Sequence, residues 1–202
     1  MKLSIHPLFF LFVALSVFGG FWGIAAALLA AVLLHEYSHA IAARSFGVRT
    51  HQIRLLPFGA QVEIDAALLP THKRVIILLS GSLGNIAAAL LIGGLLWTFP
   101  NLFLLWEVLI IANALPAILN LLPIYPFDGG KIIETLFGPR VAKINRFISA
   151  AIFLALTIIG AVTTNPQLTI LGAMIFIMIA IELRPTHCSQ TLDQALSQLK
   201  RK

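Results

Sequence analysis

The chain has 202 residues, of which 59% are hydrophobic and 11% are charged, and its formal net charge is +6. Soluble domains carry roughly a quarter charged residues and disordered chains are poor in hydrophobic ones, so both classes are excluded and a polytopic membrane protein is indicated. The basic residues are scattered between apolar runs, which argues against a nucleic-acid partner. The single cysteine, Cys188, excludes an internal disulfide.

The apolar runs predict six membrane-spanning helices. The stretch from Leu3 to Ala43 contains no Lys or Arg and is twice the roughly 20 residues that one span needs. It therefore holds two spans, separated by a glycine-rich turn at 19–23. Because the apolar character continues past that turn, we expect an uncleaved first span rather than a signal peptide. The other four spans are predicted at about 75–97, 102–122, 147–163 and 167–183.

The positions of Lys and Arg predict the orientation of these spans. All 14 fall in the termini and in two polar loops, 44–74 and 123–146, whereas the three opposite turns contain none. The positive-inside rule places the basic side in the cytoplasm. We therefore predict a multi-pass cell-membrane protein with cytoplasmic termini, a membrane domain at 1–183 and a cytoplasmic tail at 184–202. The tail is interpreted either as an amphipathic helix on anionic lipid or as a solvated segment.

The first polar loop contains a hairpin pattern. Residues 52–64 alternate at both ends around Pro57-Phe58-Gly59, which predicts a small β-hairpin at the cytoplasmic interface. Two interpretations stay open: an ordinary hairpin that covers the helices, or an edge strand that pairs with an extended peptide. In the second case the substrate-binding residues are Leu56, Pro57, Phe58 and Gly59. The predicted fold class is thus an all-α polytopic membrane protein with six transmembrane helices and a small β-hairpin.

A metal-binding pattern stands in the second predicted span. Residues four apart share one face of a helix, so His35 and His39 can bind one Zn²⁺ together. Glu36 lies beside them, where it can take a proton from a bound water. Ionisable groups inside a span cost about 2.5–3.5 kcal/mol each on insertion scales. This cost argues against a purely structural polar contact between helices.

A catalytic zinc needs three protein ligands and one open position, so one ligand is still missing. The candidates considered for it are Glu63, Asp65, Glu107 and Asp128. Asp128 reaches the depth of the two histidines if the chain is broken and re-entrant there, which Pro123 and Pro126 favour. The other interpretation of this segment is a helix-ending turn with a cap.

These residues resemble the site-2 protease family of intramembrane zinc metalloproteases, and they are most similar to its bacterial sporulation factor IV type. The resemblance rests on His35-Glu36-x-x-His39 and on the run from Asn120 to Gly130, Asn-Leu-Leu-Pro-Ile-Tyr-Pro-Phe-Asp-Gly-Gly. It implies that both histidines and Asp128 bind zinc and that Glu36 is the general base. It also implies that Asn120 contacts the substrate or the oxyanion.

The resemblance further implies a function and its partners. It implies proteolysis of a membrane-associated substrate, such as a pro-sigma factor, an anti-sigma factor or a remnant signal peptide, in the bacterial cell membrane, with regulatory membrane proteins as further partners. Asn85, in a Gly-x-x-x-Asn-like motif, and Pro126 join the expected substrate-binding residues. Relatives of the sporulation type carry a C-terminal nucleotide-binding CBS domain, and we expect this chain, which stops at Lys202, to lack it.

The alternative function is a metal or proton transporter. Intramembrane His, Glu and Asp residues also line such pathways. Here, however, they cluster at one depth, and only one broken helix is predicted where transporters tend to have a matching pair. Metal flux into vesicles would distinguish the two functions.

Overall fold

A computed structural model describes residues 2–5, 17–48, 50–56, 59–64, 69–99, 101 and 103–183. Within these ranges the chain forms three strands and six helices. The strands are β1 (Lys2–Ile5), β2 (Thr50–Leu56) and β3 (Gly59–Ile64). The helices are α1 (Trp22–Ser45), α2 (Thr71–Thr98), α3 (Phe103–Asn120), α4 (Asp128–Phe137), α5 (Pro139–Val162) and α6 (Pro166–Leu183).

The chain divides into two compact units. The first unit consists of residues 1–123 and 127–138, and the second of residues 124–126 and 139–202. The first unit therefore holds the three strands and helices α1 to α4, whereas the second holds α5 and α6.

Three of the described helices, α1, α2 and α5, are long and apolar enough to cross a membrane. Shorter apolar stretches cover Leu105–Asn120 in α3 and Leu168–Ile177 in α6. Large hydrophobic side chains such as Leu90, Leu91 and Phe147 are exposed on these helices, as expected for surfaces that face lipid. The chain is accordingly a membrane protein.

Backbone chemistry explains several of the helix ends. The helix α1 stops before Gly47, which has a φ of +77° and whose N–H donates to the carbonyl of Arg44 at 2.9 Å. Glycine adopts that conformation without the steric penalty of a Cβ. At the start of α6, Asn165 Oδ1 accepts a hydrogen bond from the N–H of Leu168 at 3.1 Å, and Pro166 occupies the first helical position. Both residues favour helix initiation.

The three strands form one sheet in the order β1-β2-β3. Strands β2 and β3 are antiparallel, with Leu56 opposite Gly59, and β1 runs parallel to β2, with Lys2 opposite Gln52. The stretch from Leu3 to Ala43, predicted to hold two spans, is preceded and opened by the strand Lys2–Ile5. Its residues alternate between polar and apolar, which is the period of a strand and not of a helix.

The second polar loop also differs from the prediction. Residues 127–146, expected to form a polar loop, contain all of α4 and the beginning of α5. The charged residues of this segment are interspersed with Ile, Leu and Phe at helical spacing, so the segment is amphipathic rather than uniformly polar. Gly138, with a φ of +82°, separates the two helices, and Pro139 begins α5.

Small residues bring α1 and α3 together in the first unit. Ala27 and Ala31 of α1 form a buried cluster with Ala112 of α3. Small side chains allow membrane helices to approach closely, which matters where lipid removes the hydrophobic drive for association. Continued in four-residue steps, the row of Ala27 and Ala31 reaches His35 and His39, which are also buried. Both histidines thus lie on the buried face of α1.

Glycine–threonine contacts join α5 to α6 in the second unit. A Cβ at Gly160 would lie 2.5 Å from the backbone nitrogen of Thr169, and one at Gly172 would lie 2.7 Å from Oγ1 of Thr157. Both contacts are closer than a real Cβ tolerates. The two helices therefore approach each other at their glycines, which explains why larger residues are not found there.

The short segment 124–126 is bound to α5. The N–H of Tyr125 donates to Oγ of Ser149 at 2.9 Å, and the guanidinium carbon of Arg146 lies 4.8 Å from the centre of the tyrosine ring. Tyr125 is buried and precedes a cis peptide bond to Pro126. The residues that lead the chain towards Asp128 are thus held by one hydrogen bond and one cation–π contact.

Candidate metal centre

Three buried side chains of the first unit meet at one point. Oδ2 of Asp128 lies 3.0 Å from Nε2 of His35 and 3.1 Å from Nε2 of His39, and the two Nε2 atoms are 3.1 Å apart. His35 is 5% exposed, His39 is 6% exposed and Asp128 is 4% exposed. In the part of the chain that the structure describes, this is the one group of His, Cys, Asp and Glu placed to hold a metal ion.

The three atoms at the centre of the triangle need a proton or a metal ion between them. The Nδ1–H of His39 donates to the carbonyl of Ile77 at 2.6 Å, which leaves a lone pair on Nε2 of the neutral ring. That lone pair faces a carboxylate oxygen and a second imidazole nitrogen. Electron pairs at such distances repel unless a proton or a metal ion lies among them.

A zinc ion fits this triangle. Ligand atoms at 2.0–2.1 Å from a tetrahedral zinc are separated by roughly 3.3–3.4 Å. The observed separations between the three atoms are 3.0 to 3.1 Å. The side chains would have to part by only about 0.3 Å to accept the ion, and the donor set of two imidazoles and one carboxylate is one that zinc uses in catalytic sites.

Two groups of α2 orient His39. Besides the hydrogen bond from the ring, the Ile77 carbonyl accepts one from Oγ of Ser80 at 2.6 Å, and that oxygen lies 3.4 Å from Nδ1 of His39. Contacts of this kind fix the tautomer and the direction of a metal-binding imidazole. Neither group can be predicted from the sequence, because a backbone carbonyl has no side-chain signature and Ser80 is an ordinary residue for a helix.

Glycine in α2 provides the space for the two rings. A Cβ at Gly81 would lie 2.5 Å from Cε1 and Nε2 of His39 and 2.6 Å from Cε1 of His35. One turn further along, a Cβ at Gly84 would overlap the hydroxyl of Ser38. As the small residues at 81–85 predict, α2 packs closely against α1, and Gly81 does so at the metal-binding rings themselves.

Asp128 is positioned by the beginning of α4. The backbone of the next residue, Gly129, lies against the carbonyls of Leu121 and Leu122, and a Cβ there would overlap both. The chain can therefore turn from the end of α3 into α4 only if glycine follows the aspartate. On the other side of the carboxylate, Nζ of Lys131 lies 3.1 Å from Oδ1 of Asp128.

The surroundings of Asp128 keep its carboxyl group ionised. Burial raises the pKa of this group, but the side chains of His35 and His39 and the charge of Lys131 lower it by more, so that it lies well below its usual range. The ionised form is the one that binds a metal.

The two predicted catalytic residues lie on α1 and α3. Glu36 is half-buried on α1, directly after His35, and is close enough to His39 to interact with it electrostatically. Asn120 is the last residue of α3 and is half-buried.

The predicted substrate-binding residues fall in three different places. Asn85 of α2 is fully buried, and none of the described residues hydrogen-bonds either atom of its amide. Leu56 and Gly59 pair at the end of the β2–β3 hairpin, whereas residues 57–58 (Pro-Phe) lie outside the described residues. Pro126 belongs to the second unit.

Comparison with known proteins places this site in a family. The family model described as Peptidase family M50 matches residues 23–102, which include both histidines and Glu36. Stage IV sporulation protein FB of Bacillus subtilis (strain 168) is 31% identical over an alignment of 154 residues that covers 70% of this chain. The chain belongs to peptidase family M50. The resemblance inferred from the two sequence motifs is thereby confirmed.

Another similar protein, a zinc metalloprotease of Methanocaldococcus jannaschii, is 27% identical to this M50 chain over an alignment of 191 residues that covers 87% of the chain. The chain spans about half the length of these two curated relatives, 49% and 56% respectively. Among solved structures, a site-2 protease from Methanocaldococcus jannaschii matches with a TM-score of 0.70 over 92% of both chains, at 23% identity. The M50 chain thus has the fold of that structure.

Proposed function

We propose that this chain is an intramembrane zinc metalloprotease that hydrolyses a peptide bond in or near a transmembrane segment of a membrane-associated protein. The observation that carries the proposal is the buried triangle of His35, His39 and Asp128, with Glu36 beside it on a helix able to cross a membrane. Family membership agrees with this chemistry, since the relatives include a protein named zinc metalloprotease and a structure named site-2 protease.

The three residues of the triangle would hold the zinc ion, which when bound supplies a Lewis acid and brings the pKa of its water towards ~7. The carboxylate of Glu36 would take a proton from the attacking water and pass it to the amine that leaves as the peptide bond breaks. Asn120 donates a hydrogen bond from its amide to the oxyanion or to the substrate backbone. Its place at the end of α3, just before the segment that delivers Asp128, supports this role.

The sheet is the surface we assign to the substrate. A helical substrate hides its carbonyls in hydrogen bonds, so it must unwind before it is attacked. Strand β3 is at the edge of the described sheet and packs beside α1. An extended peptide added to β3 would therefore run along the helix that carries both histidines.

We assign to substrate contact the six residues that the sequence predicts for it. They are Leu56, Pro57, Phe58, Gly59, Asn85 and Pro126. The amide of Asn85 supports its assignment, because both its nitrogen and its oxygen are buried with no hydrogen-bond partner among the described residues. Such an amide is available to a polar group of an unwound substrate or to a buried water.

We also propose the arrangement in the membrane. The distribution of Lys and Arg supports a multi-pass protein with six spans in residues 1–183, with both termini and the sheet on the cytoplasmic side of a bacterial cell membrane. The tail at 184–202, predicted to be cytoplasmic, lies outside the described residues. The partners would be a membrane-associated substrate, such as a pro-sigma factor, an anti-sigma factor or a remnant signal peptide, and regulatory membrane proteins.

Replacement of the general base tests the proposal. The chain is co-expressed with candidate single-pass substrates as wild type, as Glu36→Gln and as Glu107→Gln, a matched change at an exposed glutamate of α3. We expect cleavage on a gel with wild type and Glu107→Gln, and a loss of at least about 100-fold with Glu36→Gln. Zinc should remain near one ion per chain in all three proteins, because Glu36 is not a ligand.

Two outcomes would contradict the proposal. Full cleavage by Glu36→Gln would show that this residue is not the base. Absence of zinc from the purified wild type would remove the basis of the metalloprotease. The alternative of a metal or proton transporter is not favoured by the family, and it would require metal flux into vesicles that contain the wild-type chain.

A further inference from the structure

The carboxylate of Asp128 turns its two oxygens towards different partners. Oδ2 faces the imidazole nitrogens of His35 and His39, at 3.0 and 3.1 Å. Oδ1 lies 3.1 Å from the ammonium nitrogen of Lys131, three residues further along α4. The side chain of Asp128 is 6% exposed, whereas that of Lys131 is 42% exposed. The lysine therefore reaches the buried carboxylate from the partly exposed side of α4.

The contact with Lys131 involves one of the two carboxylate oxygens of Asp128 and so distinguishes them. The N-terminus of α4 also favours a negative charge at its first residue, but a helix dipole acts on the whole carboxylate and does not distinguish its oxygens. An ammonium group donates directional hydrogen bonds and is a compact point charge. Lys131 therefore distinguishes Oδ1 from Oδ2, whereas the helix N-terminus does not.

Which oxygen is free matters for a catalytic metal. A carboxylate can bind a metal through one oxygen or through both. A catalytic zinc needs three protein ligand atoms and an open position for water, and a second oxygen from Asp128 would occupy that position. A lysine on Oδ1 leaves Oδ2 as the oxygen that meets the ion.

We propose that Lys131 is a positioning residue of the metal centre, which holds Oδ1 of Asp128 and so restricts this carboxylate to a single metal-binding oxygen. The proposal rests on the proposed function for the identity of the metal. Lys131 acts through Asp128 and does not touch the substrate.

The test uses metal binding by the purified full-length chain in detergent. Lys131→Met removes the ammonium but keeps the length of the side chain, Lys131→Arg restores a charged donor, and Lys143→Met is the matched control at an exposed lysine of α5. Zinc retention is measured by competition with a chelator. The electronic spectrum of the Co²⁺-loaded protein reports the number of ligands around the metal. Circular dichroism verifies that each variant is folded.

We expect Lys131→Met to bind zinc about 10- to 100-fold more weakly, the range found when partners of metal ligands are removed. Its Co²⁺ spectrum should shift towards a higher coordination number, because Oδ1 becomes free to bind. Lys131→Arg should bind within about threefold of the wild type with an unchanged spectrum, and Lys143→Met should match the wild type, since a purely electrostatic effect of one surface cation is small.

The possible results separate this proposal from the proposed function. A wild type that binds no metal would overturn both. A wild type that binds zinc, together with a Lys131→Met that has the same affinity and spectrum, would overturn the role of Lys131 alone, as would a Lys131→Arg as weak as Lys131→Met. If Lys131→Met does not fold, Lys131→Gln replaces it. This variant keeps a neutral donor for Oδ1, and an affinity equal to that of the wild type would overturn the need for the charge.

Discussion

The two units of the chain differ in how the polar atoms at their helix contacts are hydrogen-bonded. In the second unit, Thr157 and Thr169 lie at the contact between α5 and α6. Each hydroxyl donates to the carbonyl four residues earlier in the chain, at 2.7 Å to Phe153 and 2.9 Å to Asn165. These polar groups are satisfied within their own segment, and the contact between the helices is left to close packing at glycine.

In the first unit several buried polar groups cross from one helix to another or have no partner among the described residues. His39 of α1 reaches the carbonyl of Ile77 in α2, and Asp128 of α4 reaches the histidines of α1. Oγ of Ser82 and both amide atoms of Asn85 are buried without a hydrogen-bond partner among the described residues. An unpaired buried polar group costs about 1–3 kcal/mol. The contact between α5 and α6 is therefore one of close packing, whereas α1, α2 and α4 bring polar groups together at the candidate metal centre.

The largest effect is expected from a substitution at Gly81, where α2 lies against the rings of the two histidines. In Gly81→Ala the new Cβ falls 2.5 to 2.6 Å from ring atoms of His39 and His35, so both rings must move away from the triangle. We expect zinc binding to weaken by at least about 100-fold, the upper end for changes next to a metal ligand. Metal analysis after dialysis against a weak chelator measures this loss.

The matched control for Gly81→Ala is Gly93→Ala in the same helix, where a Cβ would meet nothing within 4 Å. This control should retain its zinc and unfold at an equal or higher temperature, because alanine favours a helix more than glycine does. Zinc loss in both variants would show that the effect comes from α2 in general and not from the rings.

The next largest effect is expected from a substitution at Gly172, where α6 packs against α5 in the second unit. In Gly172→Ala the Cβ would lie 2.8 Å from the backbone nitrogen of Thr157 and 3.0 Å from the carbonyl oxygen of Phe153. Backbone atoms cannot rotate away as a side chain can, so we expect the free energy of unfolding to fall by about 1–3 kcal/mol. Thermal unfolding followed by circular dichroism measures it. Gly94→Ala, which meets nothing within 4 Å, is the control.

The zinc content of Gly172→Ala tests whether the contact between α5 and α6 is independent of the metal centre. Folded Gly172→Ala should bind as much zinc per chain as the wild type, because no ligand of the triangle belongs to the second unit. A variant that loses its zinc while its unfolding temperature is unchanged would contradict the division into a packing contact and a binding contact.

The smallest effect concerns Ser80. Ser80→Ala removes the hydroxyl that donates to the Ile77 carbonyl, but the Nδ1–H of His39 keeps its own 2.6 Å hydrogen bond to that carbonyl. We therefore expect zinc affinity to fall by about tenfold or less, at the lower end for a partner of a ligand. Chelator competition measures it against Ser45→Ala, which removes a similar hydroxyl bond to the carbonyl of Ala42. Equal losses in both variants would show that Ser80 has no special place at the site.

Much of the site could be predicted from the sequence, because its ligands are side chains. His35, Glu36 and His39 stand at helical spacing in an apolar run, and Asp128 follows a chain break that prolines and glycines make visible. The family followed from these residues. The role of Ile77 could not be predicted, since the group that contacts His39 is a backbone carbonyl that every residue has.

The parts that were missed depend on distant pairing or on averaged composition. The strand Lys2–Ile5 pairs with Gln52 to Leu55, and its alternation covers only four residues, so the distant pairing decides that it is a strand. The helix α4 is not evident from the mean polarity of its segment, because its polar and apolar residues lie on different faces of the helix. The contact between Lys131 and Asp128 depends on that helix, so it too appeared only in the structure.

The separation of the ligands along the chain sets the order in which the centre can be assembled. His35 and His39 are four residues apart, but Asp128 is 93 and 89 residues further on. During synthesis a nascent chain that has reached only α3 thus carries two of the three ligands, and tight metal binding depends on a complete and folded set. The triangle can therefore be complete only after the chain has been synthesised as far as α4.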